Sequence, residues 1–221
     1  EDITENGIKY IKQDGSVGYY QTVNKTTPVA GDVKYVDRNG DGVVDDNDRD
    51  IIGNPNPDFT YGFQTKVSWK SLSLSASFNG VQGRDILNVG NRYNNTPGTK
   101  SNNVTRKAFQ NMWTDENPSN LYPKSTFVVQ NMVMDRYVED GSYLRCSDIT
   151  LSYVLPAKWT NKIGIKNTSV YASVKNAFVI TDYSGYDPEV NSFAFDGLRP
   201  GVDMNSYPTP RSFVFGLNLT F

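Results

Sequence analysis

The clearest pattern in the chain is an alternation of apolar and polar residues over positions 59 to 78. It predicts two strands joined by a very short turn near Lys70. Because successive side chains of a strand point to opposite faces, each strand has one apolar and one polar face. The polar face is mostly serine, and aromatic residues lie near the strand ends, as in membrane barrels. The apolar positions are Phe59, Tyr61, Phe63, Val67 and Trp69, then Leu72, Leu74, Ala76 and Phe78.

Three further segments show the same period of two: residues 143–155, 168–180 and 211–221. In the segment 168–180, Asn176 interrupts the alternation. Asp148 and Lys175 fall on polar faces, where we expect separate solvated charges rather than an ion pair. The terminal aromatic, Phe221, is predicted to act as the assembly signal of an outer-membrane barrel. The apolar positions predicted to face lipid are Phe59, Tyr61, Phe63, Trp69, Leu72, Leu74, Phe78, Leu151, Val170, Val174, Phe215 and Leu217.

If each strand reverses direction, the connections fall on two different rims of the sheet. The links near Lys70 and between Pro156 and Asn167 lie on one rim, and the long loops 83–141 and 181–210 lie on the other. Outer-membrane barrels show this asymmetry, with the long loops outside the cell. Five clear strands are fewer than the roughly 8 of the smallest barrels. The sequence therefore predicts an all-β fold: a segment of an antiparallel transmembrane β-barrel with long extracellular loops.

The chain divides by pattern into three parts. Residues 1–31 are weakly patterned, with short strands expected around Ile8, Tyr10 and positions 17–23, residues 32–58 form an acidic loop, and residues 59–221 carry the barrel strands. Inside the first long loop, positions 104–113 have helical spacing. The loop aromatics Tyr93, Trp113 and Tyr122 are expected to pack against the loop itself, with stacking on sugar rings as the alternative.

Composition removes several classes of function. The 22 basic and 24 acidic residues give a net charge of −2, which favours no nucleic-acid partner. Histidine is absent, so the commonest general base is missing, and the single Cys146 forms no internal disulfide. A run of 18 or more apolar residues, as a membrane-spanning helix needs, is also absent. The chain begins at Glu1 without a signal peptide, so we expect any export signal to lie upstream.

The alternation alone also fits a soluble protein from a different class. A calcium-stabilised, carbohydrate-binding β-sandwich buries one face of each sheet and exposes the other to water, so its strands show the same period of two. A glycosidase is not predicted, because the adjacent carboxylates Asp115 and Glu116 have no partner at catalytic spacing. We therefore expect no enzyme.

The acidic loop 37–48 fits the calcium template of alternating oxygen ligands, with Gly42 at the sharp turn. Its last ligand position holds Asp48 instead of glutamate and no helices are expected to flank it, which indicates a dockerin-like loop rather than a sensor EF-hand. The alternative is an acidic surface turn without metal. The predicted Ca²⁺ ligands are Asp37, Asn39, Asp41, the Val43 carbonyl, Asp45 and Asp48.

Motifs in a fixed order resemble the SusC/RagA family of TonB-linked outer-membrane transporters of Bacteroidetes. The resemblance covers residues 31–221 and comprises the segments GDVKY, DRNGDG, DR and IGNPNP before the first strand, YG within it, VEDGSYLR, LP and SGYDPE later, and a terminal strand ending at Phe221. It implies the carboxy-terminal strands of a large plugged barrel of about 22 strands. It also implies import of oligosaccharides or peptides, a SusD-like surface lipoprotein as partner, energy from TonB, and contact with outer-membrane lipid.

Overall fold

The computed structural model describes residues 3–96, 103–125, 133–160, 165, 167–189 and 191–220. The chain forms two compact units, one of Glu1–Ile52 and Gly90–Tyr137 and the other of Gly53–Val89 and Val138–Phe221. In the part of the chain that the structure describes, no helix is both long and apolar enough to cross a membrane.

Strands dominate the described residues. The strands are β1 (Ile3–Thr4), β2 (Gly7–Ile11), β3 (Val17–Tyr20), β4 (Thr22–Val23), β5 (Val43–Val44), β6 (Phe59–Trp69), β7 (Leu72–Gln82), β8 (Asp85–Asn88), β9 (Val138–Asp140), β10 (Tyr143–Val154), β11 (Asn167–Thr181), β12 (Val202–Asp203) and β13 (Ser212–Thr220). The helices are α1 (Val89–Asn95), α2 (Arg106–Asn111) and α3 (Ala157–Thr160), with 3₁₀ turns at Asp46–Asp48 and Asp135–Tyr137.

The second unit is built on one five-stranded sheet in the order β13-β11-β10-β7-β6, with every neighbouring pair antiparallel. These are the five strands that the alternation predicts, in the predicted meander. Trp69 pairs directly with Leu72, so a two-residue turn joins β6 to β7, and Lys70 takes a positive φ of 54° within it. Since β6 and β13 are the two edges of the sheet, the barrel is not closed by the described strands.

Both long connections of this sheet leave from one rim. Tyr143, the first residue of β10, pairs with Val81 near the end of β7 and with Thr181 at the end of β11. The turn after Trp69 and the link after Val154 lie at the opposite ends of these strands. The predicted asymmetry between short turns and long loops is therefore confirmed.

The interruption at Asn176 is a β-bulge. The register between β10 and β11 shifts between Cys146 and Asp148, opposite Asn176, which has a positive φ of 52°. The Asn176 side-chain amide donates to the Pro210 carbonyl at 3.0 Å. Across this shift β10 has one residue more than β7, and β11 has one more than β10. The two extra residues of β11 relative to β7 keep Val174 and Phe178 on the same face.

Two glycines make room for cross-strand tyrosines. A Cβ atom on Gly80 would lie 2.3 Å from the ring of Tyr61 on the neighbouring strand, and one on Gly216 would lie 2.2 Å from the ring of Tyr171. Non-bonded atoms do not approach each other so closely, so each ring covers its glycine and only glycine fits there.

The first unit has a small core of its own. Ile8, Tyr10, Tyr20, Val23 and Val44 are buried together, and the sheet β1-β2-β3 contributes the first three. The two-residue strands β4 and β5 pair in parallel and so attach the acidic loop to this core. The helical segment predicted over 104–113 is α2, which begins after its N-cap residue Thr105.

Candidate functional site

The five-stranded sheet has one continuous apolar face. Register places Val67, Leu74, Leu151, Ala172 and Phe215 side by side across all five strands, and the positions two residues away along each strand continue the same face. Ten of the twelve residues predicted to face lipid are exposed, and the other two, Phe78 and Val174, are partly exposed.

This exposure decides between the two classes that the alternation allows. The exposed fractions of the side chains reach 68% for Trp69 and 79% for Phe215, and among the described residues no second sheet covers them. A soluble monomer rarely exposes so large an apolar patch, and a β-sandwich would bury it. The exposed face therefore favours a barrel wall over the soluble β-sandwich.

The opposite face of the sheet is polar, and it contains an ion pair that we did not expect. The Lys175 ammonium lies 2.5 Å from Asp148 Oδ2, so the expectation of separate solvated charges is wrong. The hydroxyls of Thr150 and Ser173 each donate to the Asp148 carboxylate at 2.8 Å. Thr150 lies on the same strand as Asp148, and Ser173 lies on the strand of Lys175. Both hydroxyls hold the carboxylate directly opposite Lys175, so the ion pair needs little rearrangement.

A second, more buried cluster joins the polar face to the loop after β11. Arg145 Nη2 lies 2.5 Å from Asp187 Oδ1 and its Nε lies 3.1 Å from Glu189 Oε2, with exposed fractions of only 6% for Arg145 and 3% for Asp187. Glu189 also accepts hydrogen bonds from the Tyr143 hydroxyl at 2.6 Å and the Asn79 amide at 3.0 Å. We call these five residues the Arg145 cluster.

Backbone amides complete the environment of Asp187. The Glu189 and Thr209 N–H groups donate to its two oxygens, each at 3.0 Å. Burial raises the pKa of Asp187, but these hydrogen bonds and the Arg145 charge outweigh burial and leave the pKa below its usual range. Its ionised form therefore holds both ends of the loop segment 187–209 to the sheet at neutral pH.

Glu139 holds the same loop at a second point. Its carboxylate accepts hydrogen bonds from the Ser184 backbone at 2.8 Å, the Ser184 hydroxyl at 2.9 Å and the Asn88 amide at 3.0 Å. Nearby, the buried Tyr183 hydroxyl donates to Asp203 at 2.7 Å. The motif 184–189 therefore fixes the loop through two carboxylate-centred networks.

The predicted calcium loop is folded around its own carboxylates. Buried Asp37 accepts the N–H of Gly40 at 2.6 Å on one oxygen and the N–H of Gly42 at 2.9 Å on the other. Asp41 accepts from the Asn39 amide and from the Val43 N–H, both at 2.9 Å. The loop thus has an ordered turn at Gly42, where φ is +84°.

The end of the loop closes on its beginning. Asp48 accepts the N–H of Arg38 at 2.7 Å and that of Asp45 at 2.8 Å, and Asp45 caps the 3₁₀ turn by accepting from Asn47. Within the described residues, three or more acidic, cysteine or histidine side chains do not converge at metal-ligand spacing.

The loop backbone is anchored to β4 and to the core of the first unit. The Gly42 and Val44 carbonyls accept from Gln21 and Asn24, so the intervening Val43 carbonyl points away from β4 because successive peptide units of a strand alternate. The Tyr10 hydroxyl donates to the Asp37 carbonyl at 2.6 Å and anchors the start of the loop to the core.

Relatives of known description cover most of this chain. TonB-dependent receptor P26 of Formosa agariphila is 35% identical over 201 residues, which are 87% of this chain and 20% of that receptor. TonB-dependent receptor SusC of Bacteroides thetaiotaomicron is 34% identical over 194 residues, 85% of this chain and 17% of SusC. The chain spans about a fifth of the length of these relatives. No protein-family model matches it.

Solved structures of RagAB importers are also similar to this chain. The RagAB peptide importer in its closed-closed state matches 96% of this chain and 20% of the importer chain, with a TM-score of 0.69 and 27% identity. The open-open state matches 77% of this chain and 18% of the importer chain, with a TM-score of 0.65 and 31% identity. The chain belongs to the SusC/RagA family of TonB-dependent receptors. In this family context its five-stranded sheet is a wall segment of a transmembrane β-barrel.

The sequence pattern missed the residues that fix the loop. Arg145, Asp187 and Glu189 lie inside the family motifs but had no predicted role. An arginine within an otherwise small-polar strand face, and two acids on either side of Pro188, were the available signals. Phe221 lies outside the described residues. The Trp113 ring packs against Gly31, which lies outside the loop 83–141, because a Cβ atom on Gly31 would lie 2.5 Å from it. Within the loop, the Trp113 N–H donates to the Tyr122 carbonyl at 3.0 Å.

Proposed function

We propose that this chain forms part of a TonB-dependent outer-membrane transporter that imports oligosaccharides or peptides together with a SusD-like surface lipoprotein. One observation supports this most strongly: an uncovered apolar sheet face backs a polar face in a chain similar to SusC and to RagAB peptide importers. In this proposal the apolar face contacts lipid and the polar face lines the lumen. Other parts of the transporter supply the remaining strands, the plug and the contact with TonB.

In the proposed transporter the chain has no catalytic role. The Asp148–Lys175 pair and the serines around it form a hydrophilic lumen wall, and the Arg145 cluster holds an outer loop against that wall. Import requires the substrate to move along this wall and to make selective contacts with it, and it requires no covalent step. Purified transporter should therefore release its oligosaccharide or peptide substrate unchanged.

Uptake by living cells tests the proposal. Labelled peptides and labelled oligosaccharides would be given to cells with the complete transporter, cells without it, and cells that lack TonB. We expect uptake of at least one of the two substrate classes to require both the transporter and TonB, and a surface lipoprotein to copurify with it. Unchanged uptake after deletion of the transporter would contradict the proposal.

We further propose that the acidic loop 37–48 binds one structural Ca²⁺. The predicted ligands are all oxygen atoms supplied by one short loop, which is the donor set that Ca²⁺ prefers. Four carboxylates so near one another repel, and a divalent cation converts this repulsion into a fixed geometry. Because the loop leads through Pro55 and Pro57 into β6, the metal would set how that strand begins.

Removal of one carboxylate from this loop should weaken calcium binding by at least about tenfold, since affinity follows the number of charged ligands. Asp41→Ala would be compared with Asp46→Ala, which removes the same charge from an exposed, non-ligand position of the loop. Calorimetry of chelator-stripped transporter titrated with Ca²⁺ would give both affinities. No binding heat at millimolar Ca²⁺, or equal affinities in the two variants, would show that the loop is a solvated turn.

A further inference from the structure

The first unit contains a small cavity that the barrel wall does not use. Its volume is about 150 Å³, and it opens between α1, α2 and the 3₁₀ turn at Asp135–Tyr137. One water needs roughly 10–15 Å³ of such volume, so the cavity has room for one ionised group and its neighbouring carbons. The described lining residues are Asn91, Asn95, Lys107, Leu121, Tyr122, Arg136 and Tyr137.

The charge of this lining is purely positive. Lys107 and Arg136 carry cations, and none of the described lining residues is acidic. Neither cation forms an ion pair with a carboxylate of the described residues, whereas Lys124 and Arg145 in the same chain do. The cavity thus presents two unneutralised cations beside amide and phenol groups, a combination that attracts an anion.

The Arg136 guanidinium is held in place before any ligand arrives. Arg136 Nη2 donates to the Leu121 carbonyl at 2.7 Å, and its guanidinium carbon lies 5.5 Å from the centre of the Tyr137 ring. These contacts fix the guanidinium group and leave it further N–H donors. A prearranged donor loses little entropy when it binds, so an anion here gains more of the interaction energy.

The helices that carry the lining are tied together. The Thr105 hydroxyl donates to the Asn95 side-chain oxygen at 2.5 Å, and the Thr105 N–H donates to the Asn94 carbonyl at 2.9 Å. The hydroxyl of the lining residue Tyr137 lies 3.0 Å from that of Thr96, and the two buried groups share a hydrogen bond. The cavity therefore has a fixed wall on the side of α1 and α2.

We infer that this cavity binds a carboxylate group of the imported molecule, with Arg136 and Lys107 as its two cationic contacts. The inference rests on the proposed import function and narrows its substrate to acidic molecules. Peptides with acidic side chains and saccharides built from uronic acids share this chemistry. The carboxylate would lie against Tyr122 and Tyr137, whose rings suit either a peptide or a sugar body.

Binding to the complete purified transporter tests this inference in two arms. The peptide arm compares Ala-Glu-Ala-Glu with Ala-Gln-Ala-Gln, both amidated at the carboxy terminus, and the saccharide arm compares tetragalacturonate with its methyl ester. We expect the acidic member of one pair to bind at least about tenfold more tightly, because hydrogen bonds to charged groups are the strong ones. The difference should shrink as salt is added.

Variants then assign the effect to the cavity. Lys107→Met and Arg136→Met should each weaken binding of the acidic probe about tenfold or more and leave the neutral probe unchanged. Arg106→Met is the matched control, because it removes a cation from the same helix outside the lining. Lys107 and Arg136 are both exposed, but Arg136 also bonds the Leu121 carbonyl, so the replacement of Lys107 should not disturb folding even if that of Arg136 does.

Three results would overturn the inference: equal affinities within both probe pairs, no effect of Lys107→Met, or the same loss in Arg106→Met. Uptake that still requires the transporter and TonB would show that import survives and that only the carboxylate site is wrong. Loss of that dependence would instead contradict the import proposal itself.

Discussion

Arginine in place of Leu74 should lower the free energy of unfolding of the bilayer-embedded protein by about 2–4 kcal/mol. Leu74 lies in the middle of the apolar face, paired with Val67 on one neighbouring strand and Leu151 on the other. A charged side chain at that depth must be accommodated in hydrocarbon, which cannot solvate it. Urea titration of the protein folded into lipid vesicles would measure the loss.

The neighbouring residue provides the control. Ser73 points to the opposite face and pairs with Ser68 and Ser152, so Ser73→Arg places the same charge in the polar interior of the barrel. We expect the stability of that variant to change by less than about 1 kcal/mol. Equal costs at positions 73 and 74 would mean that the two faces do not meet different solvents.

Replacement of Arg145 by methionine should cost about 3–5 kcal/mol in the docking of the loop after β11. The reason is that Asp187 then keeps its charge in a buried place without its counterion, while the partly exposed Glu189 loses its partner as well. Methionine retains most of the volume, so the effect reports the lost charge. The rate of protease cleavage within residues 182–210 of the folded protein would measure the docking equilibrium.

An exposed ion pair in the same chain gives the comparison. Arg49 and Asp46 lie 2.7 Å apart with exposed fractions of 74% and 79%, so water already solvates both charges. Arg49→Met should therefore change stability by no more than about 1 kcal/mol. If Arg145→Met left loop cleavage as slow as in the unaltered protein, the Arg145 cluster would not anchor the loop.

Acid should loosen the same loop. Because the pKa of Asp187 is lower in the folded protein than in the unfolded chain, its stabilising contribution is complete above the ordinary aspartate pKa of about 3.9. The contribution is lost as the pH falls from there through the lowered value. Cleavage of the loop should accelerate over that range in the unaltered protein and depend less on pH in Arg145→Met.

The strands were predictable because lipid and water impose a period that each strand repeats. Four strands of the large sheet end within one residue of the positions given by the alternation, whereas β7 continues to Gln82, four residues beyond the predicted end at Phe78. Even the interruption at Asn176 is visible as a misplaced polar residue. The two-residue turn at Lys70 follows from the spacing of Trp69 and Leu72. Such signals come from residues close together in the chain, so a single sequence is enough to show them.

Long-range pairings were not predictable in the same way. The parallel contact of β4 with β5 joins residues about twenty positions apart through two residues each, which leaves no periodic trace. The Arg145 cluster likewise joins β10 to a loop 42 residues away. The ion pair of Asp148 and Lys175 depends on the bulge between their strands, because the bulge sets which residues lie opposite each other.

The most direct test of the account measures the solvent at each position of β7. Single nitroxide labels at positions 72 to 77 of the bilayer-embedded transporter would be compared for collisions with oxygen, which enters lipid, and with a water-soluble nickel complex. The account predicts alternation with a period of two: oxygen collisions dominate at Leu72, Leu74 and Ala76, and fall at Ser73, Ser75 and Ser77. Low oxygen accessibility at Leu72, Leu74 and Ala76, without alternation, would mean that this face packs against protein and is not a barrel wall.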